Sequence, residues 1–337
     1  MTVLLSGAAL AADSRIRAEN VAVVVNVANK NSVEICQYYL KARRIPQNNL
    51  KEVNIQGSPA RLSHEQFLLL RGKIYSKINQ DIQVVVLMWT APYAVECNSI
   101  TSALTLGVDH KQCQQLCAAG KPSVYFDSPV GLPTDSGLRL SMLLPTDSLE
   151  TAKALIDRGV LSGFRVNEGD AYFLTTTDKA RSSRSMFFPP SIEIPQNKLH
   201  IHNVQADHIE NKANVMFYQT GMASVPKLET IDFLPGALAD HLTSSGGDLR
   251  GSSQMSILKW IEAGATASYG TVSEPCNHWQ KFPNSSVLLK HYLTGATAVE
   301  AYWKSVAWPA QGLFVGEPLA APYCHSCSLD AWKEPGK

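Results

Sequence analysis

Apolar positions in the first part of the chain follow two periods in turn. Residues 21–27, VAVVVNV, form a β-branched run, the pattern of a strand buried on both faces. Asn31 and Ser32 offer a helix cap, followed by Val33, Cys36, Tyr39 and Leu40 at helical spacing. Ile45-Pro46 stops that helix, and residues 50–55 alternate as a second strand. Ser63-His64-Glu65-Gln66 is a capping-box pattern that opens a helix to about Ile78, and residues 82–89, IQVVVLMW, are a third apolar run. Three strands joined by helix-length crossovers predict an α/β fold, three-layered, with a mainly parallel sheet.

Further along, residues 109–136 read as a long irregular loop, residues 138–144 as a strand, and Asp147 as the cap of a helix ending at Arg158-Gly159. A short strand over 172–176 precedes Asp178, Arg181 and Arg184. These two arginines can bind an anion, although such charges more often lie on a solvated surface. The proline-rich stretch 187–196, FFPPSIEIPQ, reads as a linker or a long internal loop. It separates an N-terminal half, 13–190, from a second half, 191–337, unless the two form one continuous domain. In that second half a strand over 215–219 ends at Thr220-Gly221. Residues 233–242 run into the turn Thr243-Ser244-Ser245-Gly246-Gly247. A helix over 255–263 leads to a small-residue strand over 264–272. Helices over 288–293 and 296–306 precede the closing GLFVGEPLAAP of 312–322.

Composition narrows the functional classes. A net charge of +1 gives no basic surface for nucleic acid, and no apolar run reaches the roughly 18 residues of a membrane span. The turn after the first strand has neither G-x-G-x-x-G nor a P-loop, so no nucleotide or other cofactor is implied. Residues 3–12, VLLSGAALAA, followed by Asp13, resemble the back half of a secretory signal. Residues 1–12 are therefore read as a signal-peptide remnant and the protein as exported, periplasmic or extracellular. In an oxidising compartment the seven cysteines favour one or two disulfides over a zinc site at Cys113, Cys117, Cys324 and Cys327. Cys36 falls on an apolar helix face, which leaves Cys276 as the more interesting candidate for an unpaired thiol.

Candidate chemistry concentrates in residues 264–283, GATASYGTVSEPCNHWQKFP, where a strand exits into a loop bearing Glu274, Cys276, His278 and Lys281. A thiol needs a base or a cation nearby to act as a nucleophile. The arrangement expected is Cys276 as nucleophile and His241, at the end of the preceding strand, as base. Asp240 or Glu274 would orient the imidazole, with His278 close by. Ser244 in the glycine-rich turn, Trp89, Tyr93 and Lys281 are the expected substrate contacts, lining a groove for an unknown peptide or polysaccharide. His200, His202, Asp207 and His208 have a usable metal spacing. Solvated surface histidines are the simpler reading, and no metal is assigned.

Two resemblances add to this. The string GATASYGTVSEPCNHWQKFP, with PGALADHLTSSGG before it and EAYWKSVAWPAQGLFVGEPLAAP after it, resembles an uncharacterised family of exported bacterial proteins found in exosortase-bearing genomes. The resemblance spans residues 21–322 and implies no particular activity. The second half also resembles the gingipain-type, caspase-like cysteine peptidases of clan CD. There, one strand ends in a catalytic His-Gly and the next in the Cys, and a Gly-Asp-Pro motif often closes the chain. This chain has Thr220-Gly221 at the first position, Asp240-His241-Leu242-Thr243-Ser244 at the second, and Gly316-Glu317-Pro318 at the third. The resemblance implies a caspase-like second half, but the standard dyad is replaced. The expected function is therefore an exported hydrolase-like, peptidase-like protein with its site around His241 and Cys276. The alternative is a non-catalytic binding or assembly factor serving surface-protein sorting or exopolysaccharide.

Overall fold

The computed structural model describes residues 15–76, 78–129, 131–163, 168–251 and 253–324. The segment read as an export signal, and Cys327, lie outside them. In chain order the elements are β1 (Val21–Asn26), α1 (Lys30–Arg43), β2 (Leu50–Val53), β3 (Arg61–Leu62), α2 (His64–Tyr75), β4 (Val84–Met88), β5 (Ala94–Val95), β6 (Asn98–Ser99), α3 (Ile100–Leu106) and α4 (His110–Gln114). There follow β7 (Leu140–Leu144), α5 (Leu149–Leu161), β8 (Gly169–Thr175), β9 (Ile192–Ile194), β10 (Leu199–Gln205), β11 (Lys212–Thr220) and β12 (Ile231–His241). The last are α6 (Leu258–Ala263), β13 (Ala267–Thr271), α7 (Ser285–Leu293), α8 (Ala298–Ser305) and β14 (Gly312–Gly316).

The β-branched runs become the sheet. β1 and β4 are buried along their whole length, as a strand covered on both faces must be. One sheet takes eleven strands in the order β2-β1-β4-β7-β14-β13-β12-β11-β8-β10-β9, while β3, β5 and β6 form a separate small sheet. Every neighbouring pair in the large sheet is parallel except β13–β14 and β9–β10. The fold is therefore α/β with a mainly parallel sheet, as the pattern of the first strands and helices predicts. One set of helices, α1, α5 and α6, packs together against the sheet; on the other side α3 covers β7 and β14, α8 packs on β7, and α7 packs on α8.

Local chemistry explains the helix starts. The Ser63 hydroxyl accepts from the N–H of Gln66, whose side chain returns to the Ser63 N–H: the expected capping box. The first helix is capped by Asn29 rather than by Asn31 or Ser32, and α5 by Ser148 rather than Asp147. In consequence Val33 is exposed, and Ile35 joins Cys36, Tyr39 and Leu40 in the core. The proline-rich stretch carries an edge strand: β9 turns back antiparallel on β10, which pairs with β8. Glu317 of the Gly-Glu-Pro sequence is buried, bridged by the Arg43 guanidinium and by the Tyr39 hydroxyl at 2.8 Å. It ties the end of β14 to α1 and serves the core.

Candidate functional site

Two strand ends, Thr220 of β11 and His241 of β12, mark where the clan CD resemblance places a catalytic dyad. Thr220 and His241 are register neighbours. Beside them lies Arg184, 1% exposed, whose Nη1 is 2.5 Å from Asp240 Oδ1. Its Nη2 donates to the carbonyl of Thr220 at 2.9 Å and to that of Asp240 at 3.3 Å. Gln219 Nε2 donates to Asp240 Oδ2 at 2.8 Å, and the Tyr302 hydroxyl reaches the same oxygen at 3.4 Å. The strand ends are thus closed by a buried ion pair with its own hydrogen bonds. Removing one partner would leave a bare buried charge, a loss of about 3–5 kcal/mol. Arg184, which the sequence offered as an anion ligand or a surface charge, is neither. Asp240 is held by Arg184 and does not orient an imidazole.

His241 differs from expectation in the same way. Its ring is 1% exposed, its Nδ1 accepts from Trp260 Nε1 at 2.9 Å, and its Nε2–H donates to the Met255 carbonyl at 3.1 Å. These two bonds fix one neutral tautomer. Burial, reinforced by the charge of Arg184, pushes the imidazole down to about 3. A ring with both nitrogens engaged and no affinity for a proton at neutral pH is not a general base.

The loop over 272–283 is a latch. Cys276 is bonded to Cys117, so the nucleophile assigned to it is absent in this oxidation state. Glu274 Oε1 accepts the N–H of Cys276 at 2.7 Å, shaping a turn in which Cys276 and Asn277 both have positive φ. His278 Nε2 donates to the Cys117 carbonyl at 2.9 Å, and Lys281 Nζ donates to the Leu116 carbonyl at 2.6 Å. Lys281 is fully buried, and burial pushes its amine down to about 8. All four loop side chains expected to carry chemistry therefore fasten the loop to itself or to residues 116–117.

The expected substrate contacts are also occupied. Trp89 is buried and donates from Nε1 to the Pro92 carbonyl at 2.9 Å. Tyr93 is buried with its hydroxyl on the Asp248 carboxylate, and burial pushes the phenol up to about 12. Neither ring lines an open groove. Ser244 is half-buried, and its carbonyl accepts the Thr271 hydroxyl at 3.0 Å. The neighbouring turn is satisfied by Gln254, whose Oε1 accepts from the Thr243 hydroxyl at 2.7 Å and from the Ser245 N–H at 2.8 Å. Gly247 is required here: a Cβ would lie 2.4 Å from the Gly270 carbonyl oxygen.

The remaining cysteines and histidines fall into structural roles. Cys97 is bonded to Cys113, and Cys324 is disulfide-bonded as well, which excludes the four-thiolate zinc set. Cys36 is a free thiol in the core, pushed up to about 12 by burial. His200 pairs with Glu168 at 2.8 Å, and His202 with Asp170 at 2.6 Å. Among the described residues no group of three or more ligating side chains could hold a metal.

Solved structures share the architecture. One described as "Structure of Protease" aligns with a TM-score of 0.50 at 10% identity, covering 92% of this chain and 80% of its own. The Arg-specific cysteine proteinase gingipain R aligns with a TM-score of 0.47 at 12% identity, covering 90% and 78%. No protein-family model and no curated protein matches the chain. The fold is of the kind seen in the solved structure described as a protease. At these identities the likeness extends to the fold alone, and no catalytic dyad is evident among the described residues.

Proposed function

We propose that this chain is an exported, non-catalytic binding or assembly protein built on a cysteine-peptidase-like fold. One observation carries the reading: the Arg184–Asp240 pair and a doubly bonded, neutral His241 fill the strand ends that a clan CD enzyme keeps for its dyad. Two further features support it. Cys276 is held in a disulfide that spans 159 residues of chain, and Cys97–Cys113 forms a second over 16 residues, as suits an oxidising compartment. The resemblance of residues 21–322 to proteins of exosortase-bearing genomes points to a surface protein or an exopolysaccharide as the partner, a peptide or a polysaccharide in chemical terms.

The test is a peptidase assay on the purified full-length chain against a mixed fluorogenic peptide library, with and without a mild thiol reductant. The expected result is no turnover above buffer in either condition, and secretion of the tagged protein from its native host. Turnover that disappears in Cys276→Ala or His241→Ala would restore the enzyme reading.

A further inference from the structure

Helix α2 is apolar on two sides. Phe67, Leu70 and Ile74 recur at helical spacing and are buried against the core. Leu68 and Leu69 fall on the opposite side and are 50% and 65% exposed. Among the described residues they are the only large apolar side chains exposed at adjacent positions. A surface helix needs one apolar stripe for its own core, so the second is unexplained by the fold. Glu65, Leu68, Leu69 and Gly72 stand at i, i+3, i+4 and i+7, the spacing of a helix–helix seam. Gly72 weakens the helix relative to alanine, yet a Cβ there would meet nothing within 4 Å. Packing among the described residues does not call for that glycine; the close approach of a second chain does.

The charges along this face point to the occupant. Glu65 lies in the first turn and Lys73 in the last, and both are exposed. Neither forms an ion pair among the described residues. They lie about 12 Å apart along the helix axis and cannot reach each other. Arg71 is already engaged, 5.0 Å over the Tyr75 ring. A two-fold axis between Leu68 and Leu69 sets α2 antiparallel to α2 of a second copy. Each Leu68 then meets Leu69 of the other copy, and each Gly72 gives room to the other copy's Glu65 stem. The Glu65 carboxylate reaches Lys73 of that copy, once on each side of the axis. An acid-first, base-last helix is complementary to itself in this antiparallel sense, in which the helix dipoles also oppose.

We propose that α2 is a self-association surface through which two copies of this chain pair antiparallel, with Leu68 and Leu69 at the centre and Glu65–Lys73 pairs at both ends. The inference does not depend on whether the strand ends are catalytic. A seam about 18 Å long is at the small end of specific interfaces, so the dimer is weak, with a Kd between about 10 μM and 1 mM. It is tested by sedimentation velocity on the full chain from about 1 μM to 1 mM, which should show one chain passing to two. Leu69→Glu, at an exposed position, should raise the Kd at least about tenfold without lowering the melting temperature. Gly72→Leu should block the seam to the same extent while raising the melting temperature, since the helix itself has room for the side chain. Glu65→Lys and Lys73→Glu should each weaken self-association about threefold. Mixing those two variants should restore it, because each copy then supplies the charges that the other lacks. No association at about 1 mM, a dimer indifferent to Leu69→Glu, or a mixture no tighter than either variant alone overturns the proposal. So does binding of the single chain to phosphatidylglycerol vesicles in place of self-association.

Discussion

His241 shows how a single residue can carry a catalytic sequence signature and a structural role. In the unfolded chain its imidazole titrates near 6.5; in the fold it is pushed down to about 3. The unfolded state therefore takes up the proton first. This contribution to stability is fully present above about pH 6.5 and is lost progressively as pH falls towards 3. Acid unfolding of the native chain should steepen below about pH 6, and His241→Gln should flatten that slope. In NMR, the His241 ring should keep neutral-imidazole shifts at pH 5; a midpoint near 6.5 would refute the burial described here. The sequence placed His241 at a strand end, as expected, but its neutral state depends on Trp260 of α6 lying against it. That contact is made across the sheet and leaves no trace in spacing. Arg184 was equally hidden: an arginine three residues after another looks solvated until Asp240, far along the chain, closes on it.

At the scale of elements, periodicity revealed the buried parallel strands and the capped helices, because burial on two faces and caps are local signals. It did not reveal β14, whose short GLFVG has no clear period, or β9 and β10, masked by proline. Disulfide pairing was also out of reach, since spacing cannot choose among partners. The Cys117–Cys276 bond, together with His278 and Lys281, makes the 272–283 loop and the 116–117 segment one unit across 159 residues of chain. Closing so long a loop removes much conformational freedom from the unfolded state, so Cys276→Ser should destabilise by about 2–5 kcal/mol. Urea unfolding of the variant and of the parent should show this difference, and reductant should narrow it. A variant as stable as the parent would mean that the two segments are held by their hydrogen bonds alone.

For the whole molecule, the two sequence halves share one sheet. β14 lies beside β7 of the first half, and β8 beside β10 and β11 of the second. Neither half has a closed set of strand partners without the other. Scanning calorimetry should therefore give one unfolding transition, and two resolved transitions would support separate halves at the 187–196 stretch.

The antiparallel contact of β13 with β14 has a consequence for how the protein is made. An interior strand of the sheet, β14, fifth of eleven in order, is the last strand of the described chain to be synthesised. Until residues 312–316 are available, β7 and β13 each present a bare edge, and the two strand blocks cannot be joined. A nascent chain must carry the β7 edge from residue 144 and the β13 edge from residue 271 until β14 is made. Its yield should thus depend on whatever shields them, a holding chaperone or a delay in folding, more than on the strength of its core.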